Sequence, residues 1–226
     1  MDTAGIAHGS RSRLLFVTAS PRGHDSDSIP LAEAFLDHYR SRRPGVETDR
    51  LDVFTDLAPF DARHARAKMA VIARQPVPET AAQDWAQVLA IAARVQAADT
   101  LLFAVPMWNG GIPWALKLFI DIVTQPGIAF RFDPATGYHG LLGGRRAVTV
   151  FTSRVWAQHV PPAFGADHQS SYLRWWLEYC GITEIHELRL QPTYPTADFH
   201  DRRGLAAARA RELACQLAAA APAAAR

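Results

Sequence analysis

The sequence predicts an α/β fold in which a doubly wound, five-stranded parallel sheet carries helices on both faces. Short apolar runs alternate with stretches of helical periodicity, most of the runs stop abruptly at a proline or a polar turn residue, and two of the run-to-helix joints are polar or glycine-rich. The first run, Arg13 to Ala19, ends at Ser20-Pro21, and Leu31, Ala32, Phe35, Leu36 and Tyr39 then recur at helical spacing between Ser28 and Arg42. A second strand is expected at Val46 to Leu51, then helices from Asp61 to Arg74 and from Glu79 to Ala98, with Pro76 and Pro78 between them. Thr100 to Val105 is the third strand, cut off by Pro106, and the next helix runs from about Pro113 to Val123, its proline in a first-turn position. Gln125 to Gly144 reads as irregular. Arg146 to Thr152 is the fourth strand, Ser170 to Cys180 a helix stopped by Gly181, Glu184 to Leu190 the fifth strand, and a last helix starts at Asp201. Phe54 to Pro78 and Gln125 to Gly144 are the segments expected to be insertions.

Composition narrows the function classes. Of 226 residues, 49% are hydrophobic and 20% charged, a globular balance, and a formal net charge of +2 gives no reason to expect nucleic acid or a membrane as partner. Two cysteines, Cys180 and Cys215, suit a reducing compartment and form no metal-ligand pattern. Residues 1–12 read as a flexible, polar extension without the apolar stretch of a signal peptide, residues 13–220 as one domain, and residues 221–226 as a tail in which the Ala-rich last helix loses order near Pro222. A cytoplasmic location follows as the expectation.

In an open parallel sheet, ligands sit beyond the carboxyl ends of the strands, where the strand order reverses. Those ends are Ser20, Pro106 and Ser153. The first loop, Ala19 to Ser28, offers the hydroxyls of Ser20, Ser26 and Ser28 and leads into a helix N-terminus, which suits a monophosphate. The alternative is that Ser26 or Ser28 merely caps the helix. Neither a GxxxxGK[ST] nor a GxGxxG pattern is present, which argues against a nucleoside triphosphate and a conventional dinucleotide site. The loop Val105 to Pro113 offers what a flat heteroaromatic ring needs: Met107 and Trp108 to pack on it, Asn109 to bond its polar rim, and Gly110 with Gly111 to let backbone approach. A tight turn with Trp108 as a core anchor is the competing reading.

Ser20-Pro-Arg-Gly with Ser26-x-Ser28, then Pro106-Met-Trp-Asn with Ile112-Pro113, resembles the FMN-dependent azoreductase branch of the flavodoxin-like NAD(P)H:quinone oxidoreductases. The likeness continues through Leu116 to Val123, Gly127 to Phe132, Gly140 to Gly144 and Tyr172 to Ile182. It implies a flavodoxin-like fold, FMN as cofactor, NADH or NADPH as co-substrate, and homodimers with flavin sites at the interface. It also implies ping-pong hydride transfer to quinones, azo compounds or related electrophiles, with the flavin rather than a side chain carrying the chemistry. By the same resemblance Ser20, Ser26, Asp27 and Ser28 hold the FMN phosphate, and Pro106, Met107, Trp108, Asn109 and Gly110 line ribityl and isoalloxazine. Thr152, Ser153, Arg154 and Val155 form the third flavin loop, and Phe132, Trp156, Gln158 and Tyr179 border the substrate cleft.

The chain departs from the family on that substrate side. Val155 and Trp156 replace two glycines, Gln158 stands near a histidine's place, Gly110 replaces a bulky aromatic residue, and Tyr179 occupies a position commonly phenylalanine. A reshaped cleft is expected, and two rivals follow: a specialised reductase of an aromatic polyketide quinone, or an FMN-binding regulatory or electron-carrier protein. Phe132 reads equally as a core aromatic. His139, His159 and His168 are loop residues around the cleft, His64 and His186 weaker candidates, and Arg63, Arg66, Lys68 and Arg74 a solvated helix face. Leu173, Trp175, Trp176 and Leu177 are expected to pack one face of their helix, with a dimer contact as the functional alternative.

Overall fold

The three strands at the centre of the sheet are buried along almost their whole length. The computed structural model, which describes residues 12–220, places β1 (Arg13–Thr18), β3 (Thr100–Pro106) and β6 (Arg146–Thr152) side by side, with β2 (Glu47–Asp52) and β7 (Glu184–Leu190) at the edges. The order is β2-β1-β3-β6-β7 and every pair is parallel. Burial on both faces explains why β1 and β3 carry unbroken apolar runs, Leu14 to Val17 and Leu101 to Pro106, rather than alternating ones. The expected extension at residues 1–12 and tail at 221–226, Pro222 included, lie outside the described residues except for Ser12.

One face of the sheet is covered by α1 (Ser28–Arg42) and α6 (Phe199–Ala219), which bury Phe35, Leu36 and Tyr39 against Leu213, Ala214 and Leu217. Arg146, the first residue of β6 and almost fully buried, donates from Nη1 to the carbonyls of Leu217 (2.7 Å) and Ala220 (3.3 Å), and its Nε lies 3.1 Å from Glu184 Oε1. A cation at the carboxyl end of a helix satisfies its last carbonyls and its dipole. The other face carries α3 (Glu79–Ala97), α4 (Trp114–Val123) and α5 (Ser170–Tyr179), whose aromatic centre is Phe103, Phe119 and Trp176, each pair 6.2 Å apart edge to face.

Four expectations are adjusted. Gln125 to Gly144 is not all irregular: β4 (Phe130–Asp133) and β5 (Gly137–Gly140) form an antiparallel hairpin. Trp175 does not share the buried face of Leu173, Trp176 and Leu177 but is 54% exposed, since neighbours on a helix point about 100° apart. The basic stretch on α2 (Ala62–Ile72) is only partly solvated, because Lys68 Nζ bonds Thr124 O at 2.9 Å and burial pulls its pKa down. The last helix starts two residues before Asp201.

Helix α5 is fixed at both ends. At its start the amide of Gln169, 0% exposed, donates to Val105 O (2.8 Å) and accepts from Gln191 Nε2 (3.1 Å), joining the ends of β3 and β7. At its end Gly181, with φ +90°, lies backbone to backbone against Gly140 of the hairpin, and a methyl group on Gly140 would overlap the main chain of Cys180 and Gly181. Gly140→Ala is expected to lower unfolding free energy by about 3 kcal/mol in urea titration, the upper range for overpacking. Gly143→Ala, whose added carbon would sit an ordinary 3.6 Å from Gly181 O, should change it little.

Candidate functional site

Because β1 lies between β2 and β3, the chain reverses its direction of winding at β1 and β3, and a crevice opens at their carboxyl ends. A cleft of about 180 Å³ there is lined by Ser20, Arg22, Ser26, Asp27, Pro106, Met107, Trp108, Thr152, Ser153, Arg154 and Thr193. Three loops distant in sequence thus meet at one place. Nine of the thirteen residues expected around FMN line it; Ser28, Asn109, Gly110 and Val155 do not.

The first loop is built around Ser26. Its buried hydroxyl accepts from Ser28 N (3.1 Å) and Ile29 N (3.4 Å) and shares a hydrogen with Ser28 Oγ (2.8 Å). Ser26 therefore caps α1, as the alternative reading had it. Capping and anion binding are compatible, because a hydroxyl accepts through its lone pairs while its single hydrogen remains to donate. Arg22, whose guanidinium bonds Asp25 O, adds a cation that the expected site set omitted.

The second loop is a two-residue hairpin. Trp108 and Gly111 exchange N–H···O bonds of 2.9 Å, with Asn109 at φ +49° and Gly110 at φ +81° between them. Asn-Gly is the preferred pair where both central residues take positive φ. Trp108 is 47% exposed, so it is no core anchor; its ring stands between the cleft and an apolar recess of about 420 Å³ formed with Pro21, Phe54, Asn109, Ile112, Pro113 and Trp114.

The third loop leaves β6 through Thr152 and Ser153. Ser153 Oγ donates to Trp156 O, while the carbonyls of Ser153 and Arg154 accept from Thr193 N (2.7 Å) and Tyr194 N (2.8 Å). Arg154 lies over the Tyr194 ring at 5.3 Å. These bonds hold the loop without glycine, and Val155 points outward, 47% exposed. Neither Val155 nor Trp156 lines the cleft, and Gln158 is exposed. Thr193, which follows the fifth strand, had no pattern in the sequence to mark it.

Phe132 and Tyr179 meet elsewhere. Phe132, 58% exposed, is no core residue; it touches Tyr138 (4.9 Å), which touches Tyr179 (5.3 Å), which stacks on Trp175 (5.4 Å). Burial, with Tyr138 and Cys180 adding, pushes the Tyr179 phenol up to about 12, so it remains a donor at neutral pH. Among the other candidates, His64 is buried and completes the capping box of α2 with Asp61, His139 bonds Thr136 Oγ1 (2.7 Å), and His168 lies against the Asn109-Gly110 turn. No described helix is long and apolar enough to cross a membrane.

Comparison with known proteins agrees with this layout. A family model described as flavodoxin-like fold matches residues 12–214. The chain is 45% identical over 188 residues to an FMN-dependent NADH:quinone oxidoreductase of Ruegeria pomeroyi, which covers 83% of this chain and 92% of that protein. It is 37% identical over 212 residues to FMN-dependent NADH:quinone oxidoreductase 3 of Pseudomonas fluorescens, covering 92% and 98%. An FMN-dependent NADH-azoreductase from Bacillus anthracis, solved in complex with FMN, superimposes with a TM-score of 0.82 over 92% of this chain and 99% of that one; at 20% identity this likeness speaks for the fold. Near full-length identity at this level, on a sheet whose reversal point carries the expected three loops, places the chain in the flavodoxin-like-fold family, on the branch of the FMN-dependent NADH:quinone oxidoreductases.

Proposed function

We propose that the chain is a cytoplasmic FMN-dependent NADH:quinone oxidoreductase, with residues 13–220 acting as one cofactor-binding domain and quinones, azo compounds or related conjugated electrophiles as acceptors. The observation that carries the reading is the cleft where three strand ends meet, bounded by buried hydroxyls, two arginines and the exposed Trp108 ring, in a chain 45% identical to a Ruegeria pomeroyi enzyme of that name.

The donor set fits FMN. Ser20 and Ser26, both nearly buried, face the cleft with Arg22 and Arg154, so a dianionic monophosphate would meet hydroxyl donors, two cations and the amino end of α1. Trp108 and Met107 offer flat and polarisable surface to the ring, and Asn109 sits on the same turn. FMN when bound supplies the hydride chemistry. What the protein contributes is placement: the three loops are anchored by backbone and side-chain bonds, so little order is left to be imposed on binding. NADH and acceptor would take the same open side in turn, which is ping-pong.

A second copy of the chain is the proposed partner. Phe132, Tyr138, Tyr179 and Trp175 form one continuous aromatic strip, three of them more than half exposed, and such a strip is the composition of an interface core. In the dimer Phe132 and Tyr179 would border the partner's cleft.

Three outcomes are expected. The purified protein takes up FMN, and anaerobic NADH bleaches the flavin, whose colour a quinone restores; failure to take up FMN would overturn the reading, and uptake without bleaching would leave only a carrier. Ser26→Ala weakens FMN binding about tenfold in fluorescence titration and lowers stability by about 1 kcal/mol, because cap and phosphate donor are lost together. In sedimentation velocity the protein runs as a dimer and Trp175→Glu shifts it to monomer; an unchanged dimer would place the interface elsewhere.

A further inference from the structure

Beyond β7 the chain has no regular structure, yet four consecutive residues are tied down. Gln191 Nε2 donates to Gln169 Oε1 (3.1 Å), Pro192 O accepts from Arg202 Nη1 (2.5 Å), Thr193 N donates to Ser153 O (2.7 Å) and Tyr194 N to Arg154 O (2.8 Å). The last two bonds lay the segment alongside the third loop. Thr193, 7% exposed, is thereby brought into the lining of the cleft.

Five buried residues of that lining carry hydroxyls: Ser20, Ser26, Thr152, Ser153 and Thr193. Three of them are engaged within the protein. Ser20 Oγ accepts from Arg22 N (3.3 Å), Ser26 Oγ accepts from Ser28 N and Ile29 N, and Ser153 Oγ donates to Trp156 O. The hydroxyls of Thr152 and Thr193 have no hydrogen-bond partner among the described residues. Thr152 belongs to the expected third loop, and Thr193 does not. A buried hydroxyl left unpaired costs about 1–3 kcal/mol, and one that borders a cleft regains this from a ligand that accepts its hydrogen.

The sheet order decides which end of a bound molecule meets Thr193. Along the carboxyl edge the three loops follow β1, β3 and β6, and the Thr193 segment follows β7, with neighbouring strands about 4.8 Å apart. The first loop, with Ser26, Arg22 and the amino end of α1, takes the phosphate in the reading above. At the other end stand Thr193 and Arg154, whose guanidinium lies 5.3 Å over the Tyr194 ring. Both offer donors. In a phosphate–ribityl–flavin chain anchored at the first loop, the acceptors at the far end are the pyrimidine carbonyls, whereas the dimethylbenzene edge has none.

We propose that Thr193 is a further cofactor contact, its hydroxyl donating a hydrogen bond to a carbonyl oxygen on the pyrimidine edge of FMN, with Arg154 beside it. The proposal rests on the FMN-dependent reading above. Reduction places negative charge on that edge, so a donor there holds the reduced cofactor more tightly than the oxidised one and raises its potential. Because the backbone on both sides of Thr193 is already bonded, little ordering is needed to make the contact.

The test compares the parent with Thr193→Val, which keeps the shape and loses the hydroxyl, and with Thr193→Ser, which keeps the hydroxyl. FMN affinity is read by fluorescence titration, and the two-electron potential by dithionite titration of the FMN-loaded protein against a dye of known potential. Thr193→Val should bind oxidised FMN about threefold and reduced FMN about thirtyfold more weakly, a tenfold ratio that lowers the potential by about 30 mV. Its melting temperature without FMN should match the parent's, and Thr193→Ser should keep the parent potential. If Thr193→Val fails to fold, Thr193→Ala carries the same expectation. Unchanged affinity and potential would overturn the inference. Weaker binding at an unchanged potential would also overturn it, because the lost contact would then lie on the ribityl or phosphate. None of these measurements uses NADH, so FMN uptake without bleaching by NADH would sink the oxidoreductase reading and leave this one to stand on the potential. A parent protein that takes up no FMN overturns both.

Discussion

The site depends on a buried amide. The crevice lies at the carboxyl ends of β1 and β3, while β3 stays paired with β6 as far as Pro106 and Thr152, and the carbonyl of Val105 lies just before the end of β3. Gln169 answers it from the first turn of α5, donating at 2.8 Å, with Thr152 O a further 3.4 Å contact and Gln191 joined at the other end of the amide. A buried polar group without a partner costs about 1–3 kcal/mol, and here several share one side chain. Gln169 thereby satisfies the strand-end carbonyls behind the crevice.

From that fixed point the three loops acquire their shapes by different means. The first is capped by a serine hydroxyl, the second is an Asn-Gly turn, and the third is stitched to the segment after β7 by backbone bonds. The third loop also keeps its form with Val155 and Trp156 where the resemblance implies two glycines: the carbonyls of Ser153 and Arg154 are committed to Thr193 and Tyr194, and Val155 is 47% exposed.

The sheet was legible because burial on both faces leaves a continuous apolar signature, as in Leu14 to Val17 or Leu101 to Val105. The hairpin Phe130–Asp133 with Gly137–Gly140 was not, since its strands are short, half polar and exposed, and the Gly140 contact that seats it is a tertiary one. Trp175 and Trp176 could not be separated by pattern alone, because two adjacent bulky residues carry no phase. The cleft hydroxyls and the Asn109 turn followed from loop chemistry. Gln169 and Thr193 did not, for a lone amide or hydroxyl acquires its meaning only from the carbonyls and cavities that the fold brings to it.

The contact of Gly140 with Gly181 has a mechanical side. No side chain lies between the two backbones, so there is nothing compressible to absorb a displacement of the hairpin, and the hairpin and α5 behave as one lever. Its outer arm carries Phe132 and Tyr138; its inner end is the first turn of α5, beginning beside Gln169. A load placed on the aromatic strip is thereby delivered to the residue that joins the ends of β3 and β7.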